Sequence, residues 1–258
     1  MESFVWMFKK EGFKKHFAYL FIMTVLFFMV SFGLIVQKSF ILSLIGILII
    51  FLSLFLLLGY MWELTGNVID RTFDINANQI YDGKIKKVYN IELPELDIKK
   101  FIWRGFASVV ANIILFLPYV LLIYIGMTNG TVTGFEPPLI ILIVLFILLL
   151  PAILWNYAKE NSIFSVLNIF KAVYIAGNYT FRYLKTFLLL AIVYSIDLFI
   201  NNFIIRIINP MVNEVFELQN IPLVIGVLAI FIFSIIKMIY VLYVFAHIIG
   251  TIVPTQEG

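Results

Sequence analysis

The sequence predicts an all-α fold, a polytopic bundle of about six transmembrane helices forming one integral membrane domain, and three observations carry that expectation. Of 258 residues, 63 % are hydrophobic and 13 % charged, whereas a soluble domain is roughly half apolar and about a quarter charged. The apolar residues gather into six blocks of the ~20 residues that cross a hydrocarbon core of about 30 Å. The cations fall almost wholly on one side when the chain is threaded through those blocks. Continuous apolar runs also point to helices, because a membrane strand alternates apolar and polar residues.

Residues 1–16 mix Phe4, Trp6, Phe8 and Phe13 with Lys9, Lys10, Lys14, Lys15 and His16. This composition suits an amphipathic helix lying in the headgroup layer. The first span, 17–36, is too long for a signal core and is followed by no small-residue cleavage site, so it is expected to stay in the mature protein. Gln37-Lys38-Ser39 turns the chain into the second span, 40–62.

The loop 63–97 is the one sizeable polar segment, and two local structures fit it. A hairpin can turn at Tyr81-Asp82-Gly83-Lys84, or span two can continue as helix to about residue 74 before irregular chain. Its few large apolar groups cannot build an independent core, so it should rest on the helix ends. Asp97 sits where a helix cap is expected, and Glu95 and Asp97 suit a helix start better than a catalytic carboxylate pair.

The third span is 106–127 and the fourth 138–157, joined by a loop whose Asn129-Gly130-Thr131 reads as a turn. In residues 161–176, Ser162, Ser165, Asn168 and Lys171 recur every third position with Phe164, Leu167, Phe170 and Tyr174 opposite. This predicts a second interfacial helix. The fifth span, 186–205, and the sixth, 222–249, flank a loop carrying Glu214 and Glu217. Basic-aromatic stretches with a glycine precede each odd-numbered span, around Gly12, Gly105 and Gly177. Three parallel hairpin units would produce that echo, and so would anchoring chemistry alone.

Lys9, Lys10, Lys14, Lys15, Arg71, Lys84, Lys86, Lys87, Lys99, Lys100, Arg104, Lys159, Lys171, Arg182 and Lys185 share one side of this threading; Lys38 and Arg206 lie opposite, and Lys237 lies inside span six. The positive-inside rule then places both termini in the cytoplasm and the chain in the cell membrane as a multi-pass protein. Lys9, Lys10, Lys14, Lys15, Lys99, Lys100, Arg104, Lys171, Arg182 and Lys185 are expected to meet lipid headgroups, each worth about 1 kcal/mol near an anionic surface. Membrane lipids, with a protein partner at the cytoplasmic face, are therefore the expected partners, and nucleic acid is not.

Several residues together resemble a known family. They are Gly59-Tyr60, Leu93-Pro94-Glu95-Leu96-Asp97, Gly105, Leu117-Pro118, Leu150-Pro151-Ala152, the segment around Phe164, Gly177-Asn178 and Tyr183-Leu184. Over roughly residues 59–190 the chain resembles the uncharacterised prokaryotic membrane family termed domain of unknown function 4013, with a longer gap between Gly59-Tyr60 and Leu93-Pro94-Glu95. The resemblance implies a multi-span bacterial or archaeal membrane protein and no activity.

Chemistry is sparse. Cysteine is absent, which excludes disulfides, thiol catalysis and cysteine-held metals. His16 and His247 lack the further ligand a metal site needs, so neither a metal nor a cofactor is expected. No phosphate-binding glycine loop, Ser-His-Asp order or paired-histidine zinc motif occurs. An intramembrane lipid-modifying enzyme would draw on Glu63, His16 and His247, and no spacing joins them. Ionisable residues inside spans are the strongest pointers, since each costs at least about 2.5–3.5 kcal/mol at mid-bilayer. Asp197 and Lys237 are the two, with Asn201 one turn from Asp197. They would either pair or leave Lys237 to snorkel, because their heights differ by about 8 Å at 1.5 Å per residue. Arg104, Ser108 and Asn112 form a polar stripe on span three, and Pro118 and Pro151 are candidate kinks. Interhelical packing explains all of these, and a solute path lined by them is the alternative. A non-enzymatic assembly, accessory or lipid-interface component is the leading expectation, and a small-solute transporter or permease the second.

Overall fold

The computed structural model describes residues 12–36, 40–81, 84–90, 92–128, 137–215 and 221–254. Within them lie helices α1 (Phe13–Val36), α2 (Phe40–Ile69), α3 (Ile98–Thr128), α4 (Pro137–Glu160), α5 (Ile169–Asn178), α6 (Thr180–Val215) and α7 (Ile221–Gly250). A 3₁₀ turn, Ile163–Leu167, precedes α5. The fold is helical, as expected, and among the described residues four stretches are long and apolar enough to cross a membrane: Phe13–Val30, Ile41–Ile69, Thr180–Arg206 and Ala229–Gly250.

The α2–α3 connection combines the two local structures anticipated for it. Helix α2 runs on to Ile69 because Leu64, Thr65 and Val68 are buried and prolong its packed face. Strands β1 (Thr72–Tyr81) and β2 (Lys84–Asn90) then pair antiparallel, from Thr72 opposite Asn90 to Tyr81 opposite Lys84, with an irregularity between Asp74 and Gln79. Asp97 caps α3: its Oδ1 accepts from the Lys99 N–H at 2.9 Å and the Lys100 N–H at 3.2 Å, satisfying donors that an uncapped first turn leaves open.

Helix α2 is the centre of the bundle and packs on α1, α3, α4 and α7. One of its faces carries Leu57, Tyr60 and Leu64 into a core shared with Leu20 of α1, Phe101 of α3 and Ile239 and Tyr243 of α7. A second core joins Trp62 to Ala152, Trp155 and Tyr157 of α4 and to Ile249. Where α2 crosses α3 the backbones touch. A Cβ on Gly59 would stand 1.9 Å from the Phe101 carbonyl oxygen, and one on Gly105 would stand 1.9 Å from that of Phe55. Only glycine at both positions permits this approach, and close backbone contact is what drives helix association where lipid removes the hydrophobic incentive.

The segment 161–176 differs from the single amphipathic helix expected. A period of three is the period of a 3₁₀ helix, and the chain is 3₁₀ up to Leu167 before restarting at Asn168, whose Oδ1 accepts from the Lys171 N–H at 3.0 Å. Ser165 is buried, while Phe164, Phe170 and Tyr174 are exposed and Ala172 and Ile175 pack inward. Of the N-terminal interfacial helix expected over 1–16, residues 1–11 lie outside the described part. Helix α1 already includes Lys14, Lys15 and His16.

Gly59→Val or Gly105→Val would force α2 and α3 apart. Overpacking costs about 1–3 kcal/mol even where side chains can yield, and here the obstacle is backbone. Thermal unfolding of the purified variants in detergent should show a clear fall in Tm, with Gly177→Ala as control, since among the described residues nothing lies within 4 Å of a Cβ at that position. Equal behaviour of all three would contradict the close crossing.

Candidate functional site

Among the described residues, polar networks tie the helices together, and three reach deepest into the bundle. The first lies one turn beyond the glycine crossing, where Glu63 of α2 is gripped by Arg104 and by Lys100 of α3. Arg104 also donates to the Ala158 carbonyl of α4 at 2.8 Å, and Tyr157 donates to the Arg104 carbonyl at 3.1 Å. The Arg104 guanidinium lies 3.3 Å from where a Gly66 Cβ would stand, so Gly66 clears its path. Arg104 carried two expectations, a headgroup contact and a place in a polar stripe between helices; its side chain is only 6 % exposed and points into the bundle, against the first and in line with the second. The reason is Glu63: a buried carboxylate requires a cation, and a bidentate-capable guanidinium meets that need while reaching α4.

The second network holds Asp197, Asn201 and Lys237, which sequence spacing singled out. Lys237 Nζ lies 2.7 Å from Asp197 Oδ1 and donates to Asn201 Oδ1 at 2.5 Å, and Asn201 donates to Asp197 Oδ2 at 2.9 Å. The long lysine stem covers the difference in height along the two helices. Both ions fall within membrane-length stretches of α6 and α7. A cavity of about 290 Å³ borders Lys237, and its other lining residues are Phe13, Phe17, Phe233, Ile236, Ile239 and Tyr240.

The third network was not legible in the sequence. Tyr60 Oη lies 2.8 Å from Tyr243 Oη and 3.2 Å from His16 Nδ1, joining α2, α7 and α1 in one buried hydrogen-bonded chain. Nothing in the spacing of three residues so far apart in sequence pairs them. Arg71 was also missed: it donates to the carbonyls of Val68 at 2.7 Å and Gly250 at 2.9 Å, setting positive charge against the C-terminal ends of α2 and α7.

The remaining candidates separate. Ser108 is buried and Asn112 half-buried, but they bond within α3, Ser108 to the Gly105 carbonyl at 2.7 Å and Asn112 to the Ser108 carbonyl at 2.8 Å. They face the bundle without bridging helices. Pro151 is buried inside α4 and Pro118 lies within α3, both helices continuing through them. Lys14, Lys15, Lys99, Lys100, Arg182 and Lys185 are exposed, and Lys171 pairs with Glu160. Lys9 and Lys10 lie outside the described residues. Arg104 and Lys237 have separate partners, so spans three, five and six do not share one polar cluster. Each of these ions has its counter-ion inside the fold, the arrangement expected of ties between helices.

No family model matches the chain, and neither a curated protein nor a solved structure matches it.

Breaking a buried ion pair from one side costs about 3–5 kcal/mol, whereas replacing both partners by apolar residues costs far less. Glu63→Leu and Arg104→Met should therefore each destabilise strongly, and the double variant should be more stable than either. Asp70→Ala, which removes an exposed pair with Lys159, should cost no more than about 1 kcal/mol. Unfolding free energies in a double-mutant cycle check this, and additive losses would refute it.

Proposed function

We propose that this chain is a six-span protein of the cell membrane with both termini in the cytoplasm, acting as a non-enzymatic assembly or accessory component at the lipid interface. Membership of the family it resembles is part of this proposal. The observation that carries it is the construction of one end of the bundle. There the C-terminal ends of α2, α4 and α7 meet the start of α3 through Lys159–Asp70, Arg71 on Gly250 and Lys100–Glu63. Such alternation supports antiparallel spans, adding α3 and α4 to the four membrane-length stretches. The same end gathers exposed aromatic groups, Phe164, Phe170, Tyr174 and Phe181, beside the exposed cations Arg182 and Lys185. Aromatic rings with lysine and arginine are the composition of a helix held at a headgroup layer, and this supports an interfacial role for 161–176.

The alternative is a small-solute transporter or permease with a polar path near Asp197 and Lys237. The apolar lining of the cavity at Lys237 and the closed ion pair support a structural tie instead. The protein therefore holds its shape through internal ion pairs and presents its aromatic, cationic rim to headgroups and to a protein partner.

Because the chain contains no cysteine, single cysteines report threading without background. Lys84→Cys and Asn161→Cys should resist an impermeant maleimide in intact cells and label after lysis, while Thr131→Cys should label from outside; the reverse pattern would sink the orientation. Purification in gentle detergent should bring down a reproducible protein partner, and a consistently solitary protein would count against the assembly role. Asp197→Leu and Lys237→Leu together should leave that co-purification intact. Loss of uptake of a solute in the same double variant would favour the transporter.

A further inference from the structure

The close crossing of α2 and α3 leaves a groove on the outside of the bundle. Phe55 of α2 and Ile102, Trp103 and Phe106 of α3 line a cavity of about 350 Å³, with Lys99 at one end. Lys99, Trp103 and Phe106 follow at i, i+4 and i+7, so they share one helix face. They descend about 10 Å from the start of α3 at 1.5 Å per residue. The order is cation, indole, then phenyl ring, with Trp103 and Phe106 ring centroids 6.0 Å apart and Phe55 edge-on to Phe106 at 5.8 Å. A phospholipid presents the matching order of phosphate, glycerol and acyl chain.

Charge decides the headgroup. Lys100 and Arg104 are both held by Glu63, whereas the Lys99 ammonium has no ion pair or hydrogen bond among the described residues. The nearby Asp97 carboxylate faces the helix start, its Oδ1 accepting from the Lys99 and Lys100 amides. A single unmatched ammonium over an apolar groove favours a headgroup of net negative charge, while a choline group would bring a second cation. We propose that this groove is a binding site for one anionic phospholipid, its phosphate on Lys99 and an acyl chain along Phe55, Trp103 and Phe106. The proposal rests on the membrane threading given above.

Trp103 is 67 % exposed, while Trp62 and Trp155 are 3 % and 8 % exposed, so acyl-chain quenching reports on Trp103 once Trp6 is replaced by Phe. The full chain in phosphatidylcholine nanodiscs is titrated with phosphatidylglycerol or phosphatidylcholine carrying the same brominated chains. Brominated phosphatidylglycerol should quench at a mole fraction about fivefold lower, the ratio expected for one lysine against an anionic headgroup. Lys99→Gln should remove that preference and Lys14→Gln should leave it. Equal quenching by the two lipids, a preference that survives Lys99→Gln, or one lost equally in Lys14→Gln would overturn the site while leaving the threading intact. Quenching by neither lipid at any mole fraction would overturn the threading itself, and the site with it.

Discussion

Backbone contact between α2 and α3 at Gly59 and Gly105 is the constraint on which the rest of the bundle depends. In hydrocarbon, apolar side chains gain nothing by leaving lipid for protein, so helices hold together by close packing and by polar ties. The glycine pair provides the first and brings the second within reach. Glu63 lies one turn past Gly59 and Arg104 immediately before Gly105, so the crossing that joins the backbones also joins the charges. With that face of α2 committed to α3 and α4, Tyr60 and Leu64 are turned toward α1 and α7, where Tyr243 and His16 complete the hydrogen-bonded chain.

The charged residues divide by what satisfies them. Glu63, Arg104, Asp197 and Lys237 are matched within the fold, and Arg71 sits on helix-end carbonyls. An ion in a poorly polarisable surrounding is costly unless its partner is at hand, so such pairs fix which helix faces which more than they add net stability. Lys14, Lys15, Lys99, Arg182 and Lys185 are exposed, and on the proposed threading they lie where headgroups supply the counter-charge. Helix α6 adds to this picture: beyond the buried Tyr183 and Thr186 near its start, its membrane-length stretch is exposed or half-buried, and the Asp197–Asn201–Lys237 triad is its polar attachment to α7.

Helix positions were legible because apolar run length is a property of one dimension. The spans expected at 17–36, 138–157 and 222–249 lie within α1, α4 and α7. Facing was legible only in part: the stripe of Arg104, Ser108 and Asn112 was expected between helices and lies buried or half-buried, but its partners could not be read. Arg104 reads as a headgroup cation until Glu63 is known to lie across from it, and that knowledge belongs to the crossing. Gly59 and Gly105 could be seen as unusual in apolar helices, yet only the paired geometry gives them a common purpose. Asp197, Asn201 and Lys237 were found because ionisable groups in apolar runs stand out singly; Tyr60, Tyr243 and His16 were missed because tyrosine and histidine near a span end are ordinary. Residues 161–176 showed their period of three plainly, but a 3₁₀ turn followed by a short α-helix satisfies that period as well as one helix does.

The bundle is braced from within by its ion pairs and by the backbone crossing of α2 and α3. Its test is the separation of those two helices in the membrane. In the naturally cysteine-free chain, Phe55→Cys and Phe106→Cys flank the Gly105 contact, and mild oxidation of native membranes should join them in a disulfide visible as a reducible mobility shift. Should the pair stay reduced while remaining accessible to thiol reagents, the helices would stand a side chain apart and the glycine crossing would be contradicted.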